Sequence, residues 1–163
     1  MKEIPFETDD KDILERIRCV PPFDALPDNY IRQAMRVASV RRYEAGEVLI
    51  EEGEFDNRVF FLIFGLLEIL VKGNRVGSLR RLGDVFGEMG IIDGSPRSAT
   101  ISAVKTSLVI TLDDTAIGSL GEVGKIFTQA VMYRIFAEVL AVRLRDANGE
   151  ISRLKEEIAG LKG

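Results

Sequence analysis

The spacing of hydrophobic positions changes twice along the chain and divides it into three zones. Residues 8–36 carry two groups of apolar residues at helical spacing, interrupted by Pro21-Pro22, and predict two short N-terminal helices. From residue 37 to about 113, short apolar stretches are separated by glycines roughly every ten residues, which indicates many short strands. From there to the end, apolar residues recur at spacings of three and four, which predicts a helix.

The middle zone predicts a sandwich or barrel, because strand-like stretches alternate regularly with turn signals. The strand candidates are Val37–Tyr43, Val48–Glu51, Val59–Phe64, Leu66–Lys72, Arg75–Leu82, Ser98–Ala103 and Ser107–Asp113. Lys72-Gly73-Asn74-Arg75 is a good signal for a tight hairpin, since Gly and Asn accept positive φ. Residues 88–92, between two strand candidates, are too few for more than one helical turn.

The C-terminal zone predicts a helix with a heptad repeat. The a positions are Leu144, Ile151 and Ile158, and the d positions are Leu140, Ala147, Leu154 and Leu161. Isoleucine at a with leucine at d favours a coiled coil of two parallel helices. Glu150 would face Lys155 of the partner subunit, and Glu157 would face Lys162 of the partner subunit. We therefore expect a parallel homodimer through residues 140–161, although Asn148-Gly149 weakens the helix by about 1 kcal/mol.

An amphipathic helix packed on its own barrel is the alternative interpretation of this zone. We expect that role for the earlier apolar residues Val131, Met132, Ile135, Phe136 and Val139. The predicted division is a unit of residues 1–125, with the barrel and the N-terminal helices, and a continuous dimerisation helix over residues 126–163. Gly118, Gly121 and Gly124 would supply a hinge between them.

Composition argues against several classes of function. The chain has no histidine, which nearly excludes histidine-based acid–base catalysis and makes a transition-metal site unexpected. Cys19 is alone, so neither an internal disulfide nor a cysteine metal cluster can form. A net charge of −4 argues against nucleic acid as the main partner. No signal peptide or uncharged apolar run of about 20 residues is present, so we expect a cytoplasmic protein without a membrane partner.

Candidate ligand chemistry is concentrated in Phe86-Gly87-Glu88-Met89-Gly90 and the nearby Pro96-Arg97-Ser98-Ala99-Thr100. Glu88 offers an acceptor for a hydroxyl, and Arg97 offers a planar fork of donors for a phosphate. Gly87 and Gly90 would allow backbone N–H groups to approach an anion closely. This combination suits a nucleotide better than inorganic phosphate, which has no use for Glu88. Taken alone, a Glu–Arg pair at this spacing is more often a surface ion pair.

The complete string closely resembles the phosphate-binding cassette of the cyclic nucleotide-binding domain family, and the resemblance extends from about Ile13 to Ile158. Residues 43–48 followed by Gly53 resemble the start of the family's barrel, and Gly65 and Gly83-Asp84 resemble its later turns. The resemblance implies an α+β fold that is mainly β: an eight-stranded jelly-roll β-barrel with short N-terminal helices and a long C-terminal helix. It also implies a non-catalytic regulatory sensor whose ligand is cyclic AMP or cyclic GMP.

Carried over by position, the resemblance implies that Arg97 binds the exocyclic phosphate oxygens and that Glu88 binds the ribose 2′-hydroxyl. The implied ligand-binding set in the cassette is Phe86, Gly87, Glu88, Met89, Arg97, Ser98 and Ala99. A buried Arg97 would hold a poorly compensated charge until the ligand arrives. For the base, the Ser98 hydroxyl could reach a guanine amino group, or Asn148 or Arg145 could contact it from the long helix. A plain helix-surface role for Asn148 is an equal alternative, and the choice between the two nucleotides stays open.

Other function classes are distinguished by particular sequence features. A barrel that serves only as a dimerisation or interaction scaffold would be expected to lack Glu88 or Arg97, and both are present. A cupin-type enzyme would need a histidine-rich metal site, and this chain has no histidine. Transcription regulators of the catabolite activator type continue into a DNA-binding domain, whereas this chain stops at Gly163, so it is either a stand-alone sensor or a sensor fragment.

Overall fold

The computed structural model describes residues 2–4, 15, 18–19, 23 and 27–161. The first predicted N-terminal helix lies almost entirely outside these residues. The second is helix α1 (Asp28–Arg36), which follows Pro27 directly. Proline fixes φ near the value a helix needs and therefore suits this position. Ile31, Ala34 and Met35 are buried, as their spacing of three to four residues predicts.

The strands form one antiparallel sheet. Within the described residues it contains seven strands: β1 (Lys2–Ile4), β2 (Ala38–Tyr43), β3 (Val48–Ile50), β4 (Arg58–Val71), β5 (Asn74–Leu79), β6 (Val85–Phe86) and β7 (Thr100–Asp113). The order is β1-β2-β7-β4-β5, with β3 also pairing with β7 and β6 also pairing with β4. The observed class is thus mainly β, and the eight-strand count of the sequence-based prediction is not confirmed.

The difference arises because β4 and β7 each run through what the sequence divides into two strands. Gly65, interpreted as a turn, lies inside β4 at φ +127°, where the register with β7 shifts. A Cβ at Gly65 would lie 2.1 Å from the Ser107 Oγ. Glycine in a strand marks a bulge or close approach as often as a turn. β4 therefore bends at Gly65 and continues.

The predicted hairpin is present between β4 and β5. Val71 pairs with Asn74, so the turn consists of Lys72 at φ 52° and Gly73 at φ 76°. The expectation that Asn74 takes positive φ was wrong, because Asn74 is the first residue of β5 and donates from Nδ2 to the Lys72 carbonyl at 3.3 Å. Positive φ at both central residues gives a turn whose twist matches that of the flanking strands, as two-residue hairpins require.

Two apolar clusters fill the molecule, one on each face of the central strands. Along β4, Phe61 belongs to the cluster under the helices, whereas Phe60 and Leu62 belong to the cluster inside the barrel. Successive strand residues point to opposite faces. The unbroken apolar run of β4 is therefore explained by burial on both sides.

Helix α2 (Glu88–Asp93) lies between β6 and β7, and the C-terminal zone is helical, as predicted. Asp113 ends β7 and accepts a hydrogen bond at 2.9 Å from the Thr115 N–H at the start of helix α3 (Asp114–Ile117). A 3-10 turn (Gly118–Leu120) follows, and helix α4 runs over Gly121–Leu161. The helical zone thus begins directly after residue 113, as predicted, and Asn148-Gly149 does not interrupt the helix.

Helix α4 packs on the barrel only through its first half. Met132, Ile135 and Phe136 are buried, and Val131 and Val139 pack partly buried against them, which confirms the predicted contact face. Among the residues that the structure describes, no helix is long and apolar enough to span a membrane.

Candidate functional site

The site is an open cavity beside the Glu–Arg turn, with about 460 Å³ of empty space. β6 leads into Gly87, helix α2 (Glu88–Asp93) follows, and the chain returns through Arg97 to β7. The lining residues are Ile50, Ile69, Phe86, Gly87, Glu88, Met89, Gly90, Arg97, Ser98, Ala99, Ile101 and Arg143. The local fold thus brings the carboxylate and the guanidinium of the sequence motif to one cavity.

Gly87 is required at this position for two reasons. Its φ is +82°, a region that residues with a Cβ rarely adopt. A Cβ there would also lie 2.8 Å from the Arg97 Nη1 and 2.9 Å from the Arg58 carbonyl oxygen. The absent side chain leaves room for the buried guanidinium beneath the turn.

Arg97 is almost fully buried, with 5% of its surface exposed, and protein acceptors hold part of its guanidinium. Its Nη1 donates to the Gly87 carbonyl, and its Nη2 donates to the Arg58 carbonyl at 2.5 Å. Nη2 also lies 3.3 Å from the Asp56 Oδ2. Within the part of the chain that the structure describes, its Nε is buried and has no hydrogen-bond partner. A buried donor without an acceptor costs about 1–3 kcal/mol, so an added acceptor at this N–H would be stabilising.

Asp56 supplies a counter-charge that sequence reasoning did not find. Arg58 donates to its carboxylate at two points, from Nε to Oδ1 and from Nη2 to Oδ2, both at 2.8 Å. Burial alone would raise the pKa of the Asp56 carboxyl, but the hydrogen bond and charge of Arg58, together with the charge of Arg97, lower that pKa below its usual value. Asp56 therefore compensates Arg97 only in part, because Arg58 shares the same carboxylate.

Glu88 is also paired, with a residue from the long helix. The Arg143 Nη1 donates to the Glu88 Oε1 at 2.6 Å, and its Nη2 donates to the Val85 carbonyl. The Glu88 side chain is 2% exposed, whereas that of Arg143 is 38% exposed. Helix α4 thereby contacts the cavity through a charge-assisted bond to the carboxylate that was expected to bind a hydroxyl.

The cavity combines ionic groups with an apolar wall. Arg58, Arg97 and Arg143 face the two carboxylates of Asp56 and Glu88, which leaves one net positive charge. Apolar side chains from four strands and from α2 complete the lining: Ile50, Ile69, Phe86, Met89 and Ile101. Such a site can hold a monoanion, a hydroxyl and a flat apolar group together. In the part of the chain that the structure describes, no three histidine, cysteine or acidic residues are grouped so that they could hold a metal ion.

The structure places the predicted site residues in two different environments. Those from the cassette all line the cavity: Phe86, Gly87, Glu88, Met89, Arg97, Ser98 and Ala99. Arg145 and Asn148 are exposed on α4 and are not among the lining residues. Their proposed contacts with a base across a dimer are not tested by a single chain and stay predictions.

Arg143 had a signal in the sequence that was overlooked. It follows Val139 by four residues and Phe136 by seven, so it continues the face of α4 that packs on the barrel. A charged residue on a packing face needs a partner. Asp56 and Arg58 lie in a loop and at a strand start, and nothing local links them to Arg97.

Several known proteins resemble this chain in fold or in sequence. A cyclic nucleotide-binding domain from Methylobacillus flagellatus shares the fold, with a TM-score of 0.71 and 21% identity over 86% of this chain and 81% of that chain. A cyclic nucleotide-gated potassium channel of Mesorhizobium japonicum is 30% identical over 123 residues, which are 72% of this chain and 34% of the channel. The Pycsar effector protein BcPycTIR of Burkholderia cepacia is also 30% identical, over 75% of this chain and 39% of the effector.

The chain thus spans 34% and 39% of the length of these two curated relatives. The family model described as "Cyclic nucleotide-binding domain" matches residues 40–122, about half of the chain and all of the cassette. On this match, the chain belongs to the cyclic nucleotide-binding domain family.

Proposed function

We propose that this chain is a non-catalytic regulatory sensor that binds cyclic AMP or cyclic GMP and signals through helix α4. The observation that carries the proposal is Arg97, a buried guanidinium whose Nε has no acceptor inside a cavity that also holds a carboxylate. An anion with acceptor oxygens satisfies this donor. The absence of catalysis, the absence of nucleic-acid binding and a cytoplasmic location stay predictions from the sequence.

The proposed pose follows from the chemistry of the lining. The cyclic phosphate lies at Arg97, the ribose hydroxyl donates to Glu88, and the base lies against the apolar wall of Ile50, Ile69 and Ile101. A cyclic phosphodiester carries one negative charge, which matches the single net positive charge of the ionic cluster. A 5′-monophosphate carries nearly two charges at neutral pH and matches it less well.

Apolar contacts between α2 and α4 support signalling through the long helix. Ile91 of α2 packs against the cluster that contains Met132 and Phe136 of α4. The same three side chains also line a narrow gap between the two helices. In this proposal residues 1–125 form the sensing unit, and the helix beyond them is the output. A ligand that repositions α2 would shift α4 through these contacts.

An exposed apolar stripe supports the proposed parallel homodimer. In the single chain Leu144, Ile151, Leu154 and Ile158 are between 43% and 63% exposed. The same a and d spacing continues back to the start of α4 through Val123, Ile126, Ala130, Tyr133 and Ala137, all of them exposed. The stripe is therefore much longer than the predicted coiled coil of residues 140–161. A second copy of the helix would cover it along its whole length.

The charged residues beside this stripe should contribute less to dimer stability than the sequence indicates. Glu150 and Glu157 both pair with Arg153 of the same helix, at 2.6 and 2.7 Å. Pairing with lysines of the partner subunit would have to compete with these bonds, and exposed pairs contribute little in any case. The dimer would depend mainly on the apolar a and d positions.

The same heptad register supports the proposed role of Asn148. Arg143 occupies a g position and Asn148 the e position five residues later. In a parallel pair a g residue faces the following e residue of the other helix. The partner's Asn148 would therefore lie beside Arg143, at the mouth of the cavity. A base contact from the partner's Asn148, or from Arg145, would then decide between adenine and guanine.

Thermal unfolding with cyclic AMP and with cyclic GMP, measured separately, tests the function. A ligand at 100 times its Kd adds about 2.7 kcal/mol of stability, which raises the midpoint by about 5–10 °C for a chain of this size. The preferred nucleotide gives the larger shift at equal concentration. The absence of a shift with either nucleotide would contradict the proposal and favour a scaffold that does not use the cavity.

A further inference from the structure

Residues 72–82 form a strongly basic segment at the surface of a chain whose net charge is −4. The segment contains strand β5 and has no acidic residue, and its four cationic residues are all exposed: Lys72, Arg75, Arg80 and Arg81. Within the described part of the chain, none of the four forms an ion pair. We call residues 72–82 the basic edge.

Strand β5 also lies at an edge of the sheet. Among the described strands it pairs with β4 alone, and it stands at the end of the strand order. An edge strand directs alternate backbone N–H and C=O groups away from its neighbour, where an extended peptide can add as a further strand. Val76 and Leu82 are exposed and add apolar surface. The basic edge therefore offers hydrogen-bonding groups and positive charge side by side.

We propose that the basic edge binds an extended acidic segment of a partner protein by strand addition to β5. The backbone of β5 would supply the hydrogen bonds of the new ladder, and the four cations would select Asp and Glu side chains. This inference is independent of the proposed sensor function, because the described lining of the nucleotide cavity contains no residue of β5.

The turn after β5 holds two of the cations on a fixed backbone. The Asp84 Oδ2 accepts hydrogen bonds from the backbone N–H groups of Arg80 and Arg81, both at 2.8 Å. The Asp84 N–H donates in turn to the Arg81 carbonyl at 3.0 Å. The Asp84 carboxylate is thus engaged with backbone donors, and both guanidinium groups stay exposed. A backbone that is already ordered lowers the entropy cost of binding a partner.

Two glutamates near the basic edge are engaged in the same way. The Glu52 Oε2 accepts from the Lys72 backbone N–H at 2.7 Å. Glu68, which pairs with Ser78 of β5, accepts at Oε1 from the Ser102 hydroxyl at 3.0 Å. Both carboxylates lower the local positive potential without pairing with one of the four cations. A partner carboxylate can therefore still gain a charge-assisted bond there.

Charge distinguishes an acidic peptide from two other occupants that a basic edge could attract. A second copy of β5 would place like charges beside one another across the new ladder, which is destabilising. Nucleic acid would use the cations but leave the backbone groups of the edge unpaired, and the net charge of −4 would oppose its approach. An acidic strand satisfies both the backbone groups and the cations.

A bulge in β5 limits how tightly the partner can bind. Ile69 pairs with Gly77 and Leu70 pairs with Arg75, so Val76 is the extra residue. Bulges and charged side chains also protect sheet edges from unwanted pairing, which is the alternative role for these features. The regular hydrogen bonds on offer are few, so the cations must contribute much of the affinity. We therefore expect micromolar binding that weakens as salt is added.

Fluorescence anisotropy with three short labelled peptides tests the proposal. The first alternates Glu and Thr, the second is the same peptide N-methylated at every peptide nitrogen, and the third alternates Lys and Thr. The first should bind about tenfold or more tightly than the second, which keeps the charge but cannot donate to β5. The third should not bind. Hydrogen exchange at the amides of β5 should slow with the first peptide and not with the second.

Charge-reversed variants locate the binding surface. Arg80→Glu combined with Arg81→Glu should weaken binding of the Glu–Thr peptide about tenfold or more, because two attractions become repulsions. Lys125→Glu combined with Arg134→Glu is the matched control, since it changes the net charge by the same amount at exposed positions of α4. The Arg134 side chain is 78% exposed and pairs with Glu138 of the same helix. The control should change the affinity by less than about twofold, and thermal midpoints show whether each variant is folded.

Four results would contradict the proposal. No binding of the Glu–Thr peptide at low salt would mean that the charges and the bulge only protect the edge. Equal binding of the N-methylated peptide would mean a charged surface without strand addition. Equal weakening in the two double variants would mean that net charge alone decides the affinity. Tighter binding of single-stranded oligothymidylate than of the Glu–Thr peptide would make the basic edge a nucleic-acid surface.

Discussion

At the scale of single residues, the charges of the site are only partly balanced before any ligand arrives. Arg58 and Arg97 share the Asp56 carboxylate, Arg143 pairs with Glu88, and one net positive charge remains. Among the described residues, one buried N–H of Arg97 also has no acceptor. In the proposed function the ligand would supply both this acceptor and a negative charge.

The sequence was sufficient for the local half of this site. Glu88 and Arg97 lie on one turn, so their common environment follows from local structure, and the cassette string identified both. Asp56 and Arg143 reach the site only through the tertiary fold, from 41 residues before Arg97 and 55 residues after Glu88. No periodicity along the chain specifies such contacts, although the packing face of α4 could have indicated Arg143.

The space beneath Gly87 gives a prediction at this scale. Gly87→Ala should destabilise the fold by at least about 2 kcal/mol more than Gly94→Ala, because overpacking adds to backbone strain. Gly94 is the matched control: its φ is +67°, but no atom lies within 4 Å of the position its Cβ would take. Urea unfolding of both variants measures the difference. Equal losses would mean that the contact with Arg97 and Arg58 does not constrain Gly87.

At the scale of elements, the sequence located the strands but misjudged where some of them end. Glycine served as a turn signal, which was correct at Gly73 and wrong at Gly65. The two cases differ in a tertiary contact. A Cβ at Gly65 would collide with Ser107, whereas a Cβ at Gly73 would have no described neighbour within 4 Å. Local sequence cannot separate a bulge from a turn when the deciding atom lies on another strand.

Helix α4 shows the opposite case, in which the sequence pattern was present and was used too narrowly. The a and d spacing continues to Val123, but its small residues Ala130 and Ala137 make the stripe less conspicuous than the leucines and isoleucines after residue 140. In the structure the residues of this stripe are mostly exposed, whereas Met132 and Phe136 on the packing face are buried. One face of the helix therefore packs on the barrel, and the other is the face that the proposed dimer would cover.

The dimer prediction belongs to this element. Ile151→Asp should convert the dimer to a monomer at micromolar concentration, because a charge at an a position would be buried between the helices. Ser152→Asp adds the same charge to the neighbouring residue outside the stripe and should leave the dimer intact. Sedimentation equilibrium measures the association state. A wild type that is monomeric, or an Ile151→Asp variant that is still dimeric, would contradict this use of the stripe.

At the scale of the whole molecule, the barrel, the cassette and the long helix form a continuous path. The barrel supplies the apolar wall, the cassette supplies Glu88 and Arg97, and α4 contacts the cassette twice, through Arg143 and through the apolar contact with Ile91. One contact is polar and lies at the ligand, whereas the other is apolar and lies behind α2. In the proposed signalling role, ligand binding at the cavity would act on α4 through these two separate contacts.

The central claim is that Arg97 binds the phosphate of a cyclic nucleotide, and isothermal titration of Arg97 variants tests it most directly. Arg97→Ala should lower the affinity for the preferred nucleotide by about 30-fold or more, the scale of a charge-assisted bond of about 2 kcal/mol. Arg97→Lys keeps the charge without the planar fork, so its affinity should lie between those of the wild type and Arg97→Ala. Arg134→Ala, the control, should bind as tightly as the wild type. Unchanged affinity in both Arg97 variants, with each shown to be folded by its thermal midpoint, would contradict the account.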